Sequence, residues 1–253
     1  GLSRPKDFPK SKVLKLGILG AGMMGQGIAY VSAKAGIDVV LKDMTQESAD
    51  KGKLYSVPLL KKQVSRGRML QSDADKVLNR ITATCNDEDL KGCDLIIEAV
   101  FENLELKHTI TESAELYLTD KGIWGSNTST LPISELARAS KKPENFIGIH
   151  FFSPVDKMPL IEIIVGEKTS DATLAKAFDF AQQIKKTPIV VNDSLGFFTS
   201  RTFATYLDEG LHLLVEGYSP VQIDNMGKAI GMPVGPLQVG DEVSLELTRK
   251  AQE

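Results

Sequence analysis

A chain of 253 residues, 42% hydrophobic and 25% charged, has room for one large domain or for a large domain with a small companion. Its formal net charge of -3 gives no electrostatic case for nucleic acid or an anionic membrane as the main partner. Two cysteines, Cys85 and Cys93, fit no disulfide framework and no metal or redox spacing, and no apolar run approaches the ~20 residues of a membrane span.

Residues 1–12 carry basic charge and two prolines but no apolar stretch, so they read as an extended linker and not as a secretory signal. The chain starts without Met and ends inside a helical pattern at residues 245–253, so it reads as a piece cut from something longer. The first strand, residues 14–19, runs into Gly20, Gly22 and Gly25, with Met23 and Met24 between the last two. A helix follows to Lys34, then a strand from Asp38 to Lys42 that ends at Asp43. Gly-x-Gly-x-x-Gly between strand and helix, with an acid about 20 residues further on, is a dinucleotide-binding signature. Gly20 permits the tight turn, Gly22 lets the backbone approach a pyrophosphate, and Gly25 lets helix and strand pack closely. Asp43 would accept from the adenosine ribose hydroxyl and repel a 2′-phosphate, which favours NAD over NADP; Lys42 weakens that preference slightly.

Residues 45–80 break the strand–helix rhythm. A helix capped by Thr45 is expected to run to about Met69 with a kink or break at Pro58, and a second, capped by Ser72, to run through Arg80. This is a helical hairpin inserted after the second strand. Its Lys51, Lys53, Lys61 and Lys62 read first as a solvated face, with a cationic flank for an acidic ligand as the alternative. Strands at 81–84 and 94–100 follow, the latter nearly continuous in apolar residues, as in a strand covered on both faces. Glu102 lies just past its carboxyl end, where doubly wound sheets bind ligands. Next come a helix over 104–118 with Lys107 in its first turn, a strand over 122–126, the polar rim Asn127 to Thr130, and a short helix capped by Ser134.

Two buried strands are expected at residues 147–155 and 158–165, each with one polar misfit, His150 and Glu162. A buried imidazole and a buried carboxylate each cost several kcal/mol unless partnered, roughly, and the economical solution is that they partner each other. By themselves the strands fit a core histidine satisfied by backbone, the commoner fate of such residues. The glycine turn, Asp43 and the polar rim shift the reading to a general base oriented by a carboxylate. A helix over 172–184 and a strand over 187–191 complete an α/β domain of residues 13–193. From 194 onward only helices are expected, 197–216, a second from Ser219-Pro220 to before Gly231, and an incomplete last one. The fold class is thus a doubly wound Rossmann-type sheet with a helical hairpin insertion, followed by a smaller, truncated all-helical domain.

Several separated motifs coincide with one family. Gly20 to Gly25, Glu98 to Asn103, Ser126 to Ser129, His150 to Val155 with Glu162, Gly196-Phe197-Phe198 and Pro233 to Pro236 together resemble the L-3-hydroxyacyl-CoA dehydrogenases of fatty-acid β-oxidation, over about residues 13–244. The resemblance implies an NAD-dependent enzyme that interconverts L-3-hydroxyacyl-CoA and 3-ketoacyl-CoA. It implies His150 as the catalytic base, Glu162 as its orienting carboxylate, and Ser129 as a hydrogen-bond donor to the reacting oxygen. Asn127 would lie near the nicotinamide, and Asp43, Glu102 and Lys107 would contact the cofactor. It also implies an acyl-CoA substrate and a homodimer or a fusion to hydratase and thiolase partners. The compartment would be the cytoplasm in a bacterium, otherwise the mitochondrion or peroxisome. The family usually has asparagine where this chain has Ser153 and Ser200, and the second of these belongs to the substrate-polarising group. A serine is shorter and has a single donor, so Ser200 is a weaker version of that contact. Rival readings are a free β-hydroxyacid dehydrogenase, which would use a lysine at the chemistry, and a cofactor-binding module of the same fold that has lost catalysis.

Overall fold

The computed structural model describes residues 3–243, which divide into two compact units between Asp193 and Ser194. The first unit is built on one eight-stranded sheet in the order β3-β2-β1-β4-β5-β6-β7-β8. Its strands are β1 (Lys15–Leu19), β2 (Asp38–Lys42), β3 (Ile81–Thr84), β4 (Cys93–Glu98), β5 (Leu118–Ser126), β6 (Phe146–Phe151), β7 (Leu160–Val165) and β8 (Thr187–Asn192). Every neighbouring pair is parallel except β6 and β7. The central strands are buried on both faces, which is why they read as continuous apolar runs. The order reverses at β1, flanked by β2 on one side and β4 on the other, so the crevice of a doubly wound sheet opens at the carboxyl ends of these strands.

Helix α1 (Met23–Lys34) follows the glycine turn. The hairpin insertion is three helices rather than two: α2 (Gln46–Leu54), α3 (Ser56–Ser65) and α4 (Gln71–Asn79). Thr45 caps α2 by accepting from Ser48 N. The break falls at Tyr55, not Pro58, because Pro58 sits in the first turn of α3, where its missing N–H has no intrahelical acceptor to leave empty. Ser72 lies inside the first turn of α4, whose N-cap is Leu70. Helix α5 (Leu104–Ala114) gives way to a 3-10 turn at Glu115–Tyr117, and β5 starts at Leu118, earlier than expected, pairing with Cys93 before the register shifts.

The strands expected at 147–155 and 158–165 end sooner on the facing side, since residues 152–159 with Pro154 and Pro159 form their connection. Ser134 does not cap α6 (Ile133–Leu136). Asp193, at the far end of β8, does so by accepting from Ile133 N at 2.8 Å and Ser134 N at 2.7 Å, while the Ser134 hydroxyl accepts from Glu167 N. Helix α7 (Asp171–Gln183) covers the hairpin end of the sheet. Residues 3–12 are fastened to it, Arg4 forking onto Asp179 at 2.7 and 2.9 Å, with Ser11 N and the Ser11 hydroxyl on the same carboxylate.

The second unit contains α8 (Thr199–Val215), α9 (Pro220–Ala229) and α10 (Pro236–Val243). A capping box at Ser219 and Gln222 starts α9, and Asp224 accepts from Leu237 N at the start of α10. Gly210 and Gly227 allow the helices close approach, since a Cβ there would lie 2.7 Å from Pro236 and 2.3 Å from the Tyr206 hydroxyl. The helical pattern at 245–253 lies outside the described residues.

Candidate active site

The glycine turn has the geometry its spacing requires. Gly20 takes φ +97°, and a Cβ on it would stand 2.7 Å from Ala99 O; a Cβ on Gly25 would stand 1.8 Å from Gly20 O. Around Gly22, by contrast, a Cβ would meet nothing within 4 Å, so the backbone is open to a ligand at that point alone of the three. Gly22 is also the N-cap of α1, without a side-chain cap, and the first turn of α1 holds no acidic residue. Its N–H groups and the positive end of the helix dipole are therefore available to an anion such as a pyrophosphate. Met23, the first residue of α1, is exposed, and Met24 packs partly against the core. Asp43 holds the turn from β2, accepting from Ala21 N and Met44 N, each at 2.7 Å. Lys42, the residue that blurred the NAD preference, is paired with Asp87 at 2.9 Å.

Beside this turn lies the rim formed by the ends of β4 and β5. One Glu102 oxygen collects Ser129 N at 3.0 Å, Thr130 N at 3.2 Å and the hydroxyls of Thr128 and Thr130. The Lys107 ammonium stands 3.3 Å from the other oxygen. Burial alone would raise the Glu102 carboxyl, but Lys107, Thr128 and the two backbone N–H groups outweigh it and hold the carboxyl below the usual carboxylate range. Lys107 is itself buried, with both oxygens of Glu98 at 2.8 and 2.9 Å. Burial pushes the Glu98 carboxyl up, an effect that Lys107 and Ser126 only partly offset. Asn127 bridges the rim to the next strand, its side-chain oxygen accepting from Phe151 N at 2.9 Å.

His150 and Glu162 lie directly opposite each other across the antiparallel pair of β6 and β7. His150 Nδ1 is 2.9 Å from Glu162 Oε2, both side chains buried, and the Phe152 ring packs 4.5 Å from the imidazole. A carboxylate at Nδ1 assigns the proton of the neutral ring to that nitrogen and leaves Nε2 as the basic atom. Ser153 follows on the connecting loop, its hydroxyl 3.8 Å from the sulfur of Met23. That loop is further fixed by Val155 against Gly27 of α1, by Tyr55 donating to Asp156 at 3.1 Å, and by the Lys186 ammonium donating to Val155 O and Met158 O.

The first unit thus carries Gly20, Gly22, Met23, Met24, Gly25, Asp43, Glu102, Lys107, Asn127, Ser129, His150 and Glu162; Ser200 belongs to the second unit, in the first turn of α8. Glu98, which heads the Glu98 to Asn103 motif, and Asp193 had no role of their own in the sequence. Glu98 was within reach, being an acid inside an apolar strand like Glu162.

A glycine turn open at Gly22, an uncapped helix start and an acid at the end of β2 define an α/β protein with a dinucleotide-binding site. The chain belongs to the 3-hydroxyacyl-CoA dehydrogenase family: residues 15–194 match its NAD binding domain and residues 196–253 its C-terminal domain. It is 42% identical over 245 residues to the fatty acid oxidation complex subunit alpha of Shewanella amazonensis, covering 96% of this chain and 35% of that protein. The chain therefore spans about a third of the length of the curated relatives it matches. Among solved structures, the (S)-3-hydroxybutyryl-CoA dehydrogenase PaaH1 of Ralstonia eutropha is 35% identical, with a TM-score of 0.91 over 95% of this chain and 86% of that one. FadB2 of M. tuberculosis is 32% identical, with a TM-score of 0.89 over 95% and 86%. No helix among the described residues is long and apolar enough to cross a membrane.

Proposed function

We propose that this chain is the dehydrogenase portion of a larger fatty-acid β-oxidation protein, interconverting L-3-hydroxyacyl-CoA and 3-ketoacyl-CoA with NAD. The observation that carries the reading is the buried His150–Glu162 pair, 2.9 Å apart at directly opposed strand positions. NAD supplies the hydride acceptor for oxidation and, reduced, the donor for the reverse. His150 Nε2 takes the proton of the 3-hydroxyl as its C3 hydrogen departs with the electron pair, and returns it in the reverse direction. Glu162 keeps the ring oriented and offsets the charge of the imidazolium. Ser129 donates to the reacting oxygen, beside Asn127 on the rim. Gly20, Gly22, Met23, Met24 and Gly25 cradle the pyrophosphate, Asp43 takes the adenosine ribose, and Glu102 with Lys107 forms the rim beneath the nicotinamide end.

The family resemblance, together with relatives named as a subunit of a fatty acid oxidation complex, motivates the wider setting: fusion to hydratase or thiolase partners, pairing with a second copy, and the cytoplasm if the source is bacterial. Exposed Lys51, Lys61 and Lys62 on α2 and α3 offer a cationic flank for the CoA phosphates. The test is acetoacetyl-CoA-dependent oxidation of NADH. The His150→Gln variant is expected to lose about 10³-fold in kcat with NADH affinity retained. Turnover surviving that change would remove His150 from the chemistry.

A further inference from the structure

Glu98 is the deepest acid in the cofactor half of the sheet, and the mechanism above makes no use of it. It ends β4, where its backbone pairs with Leu19 of β1 on one side and Ser126 of β5 on the other. It therefore stands between the strand that feeds the glycine turn and the strand that feeds the rim. Its side chain is 1% exposed. Lys107 donates to both oxygens, and the Ser126 hydroxyl donates to one of them. The Glu98 backbone oxygen accepts from Asn127 N at 3.0 Å, so the same residue grips the rim twice.

Stability does not explain this arrangement. A buried ion pair is often no better than apolar residues of the same volume, so a leucine facing a methionine would serve packing equally. What apolar residues would lack is control over the ammonium. A lysine head is a compact charge with three donors on a flexible stem. Two of those donors are occupied by Glu98, and this holds the ammonium 3.3 Å from Glu102 Oε2 as an ion pair. Glu102 in turn gathers Ser129 N, Thr130 N and the hydroxyls of Thr128 and Thr130 on its other oxygen. The chain of contacts runs from a buried carboxylate, through the ammonium it holds, to Glu102 and the loop that carries Asn127 and Ser129.

We propose that Glu98 is a positioning residue of the cofactor site, acting through Lys107 to hold Glu102 and the 127–130 loop in the shape that receives the nicotinamide ribose. The proposal rests on the reading of this rim as a dinucleotide site. Glu98 never touches the cofactor. Its charge fixes where the Lys107 charge sits, and that fixes Glu102.

The experiment is a double-mutant cycle read by NADH fluorescence titration, steady-state kinetics and thermal melting, in the intact protein. Glu98→Gln keeps the shape and an acceptor for Ser126 but removes the charge. It is expected to raise the NADH Kd and KM roughly tenfold, with kcat at saturating NADH changed less than about twofold. The pair E98L/K107M, conserving volume, is expected to melt at or above the parent temperature while binding NADH no worse than Lys107→Met alone, because the charge of Glu98 acts through Lys107. An unchanged NADH Kd in Glu98→Gln overturns the proposal. So does an additive loss in E98L/K107M, or parent-like affinity in that pair. Should Glu98→Gln fail to fold, the comparison of E98L/K107M with Lys107→Met decides. A parent protein that binds no NADH overturns the site itself, a result that precedes and differs from any outcome with the variants.

Discussion

The two ends of the sheet handle polar groups in opposite ways. In the parallel half, Gly22, Asp43, Glu102 and Asn127 lie in the segments just past the carboxyl ends of β1, β2, β4 and β5, with the buried Glu98 as the last residue of β4. In the β6–β7 pair the polar groups sit within the strands, His150 against Glu162, inside runs that are otherwise buried and apolar. Loops past strand ends shape themselves around a ligand through many weak contacts. A pair within strands is fixed by register, and slipping either strand by one residue would turn its side chain to the other face of the sheet. The cofactor half is therefore built for recognition and tolerates graded change, whereas the hairpin is built for one geometry and responds to change abruptly.

Kinetics separates the halves, because damage to the hairpin should fall on kcat and damage to the parallel half on cofactor affinity. After His150→Gln, the largest effect is expected from Glu162→Gln. The amide still accepts from or donates to Nδ1 but cannot offset the imidazolium charge, so kcat should drop about 10²–10³-fold while the NADH Kd stays within twofold of the parent. Equal loss in both quantities would mean that the hairpin shapes the cofactor site too. A smaller effect is expected from Asp43→Asn, which removes the charge that repels a 2′-phosphate while keeping an acceptor for Ala21 N or Met44 N. The preference for NADH over NADPH, as the ratio of kcat/KM values, should narrow by roughly tenfold with kcat for NADH nearly unchanged.

The smallest effect belongs to a residue outside both regions. Arg4 and Ser11 together hold the Asp179 carboxyl below its ordinary value of 3.8, against the opposing pull of burial. A carboxyl with a depressed folded-state pKa stabilises the fold above its unfolded value, and the contribution is lost as pH falls through the folded value. Asp179→Asn should therefore melt below the parent at pH 7 and converge with it in acid below about pH 3.8, with kcat and NADH affinity unaltered at neutral pH. A gap in melting temperature that persists unchanged at low pH would mean that the contact works by packing and not by charge.

How much of this could be read from the residues alone divides along the same line as the fold. The glycine turn and Asp43 were legible because their signal is local, a strand, a turn and a helix in order. The partnership of His150 and Glu162 was legible because two misfits in neighbouring apolar strands have few other solutions. Non-local partners were not. Ser134 looked like a helix cap because serine before a short apolar run usually is one, but the cap comes from Asp193, some sixty residues later, and nothing near Ser134 announces it. The break in the insertion was placed at Pro58 because proline interrupts helices, yet a proline in a first turn interrupts nothing. Glu98 was missed for a different reason: its partner Lys107 already had a role by resemblance, which hid the fact that a buried acid must have a cation of its own.

One detail of the glycine turn reaches beyond binding. Helix α1 begins at Gly22 with no side-chain cap and no acid in its first turn. A capping side chain there would have contributed about 1 kcal/mol to the resting fold. A bound anion can take the place of that cap, and because it binds the folded chain, the folded state and the occupancy of this site are thermodynamically linked. At a hundredfold excess over Kd, a dinucleotide that binds only the folded chain adds about 2.7 kcal/mol to its stability. Cofactor supply thereby becomes a determinant of how long the protein survives, with survival lowest where the dinucleotide is scarce.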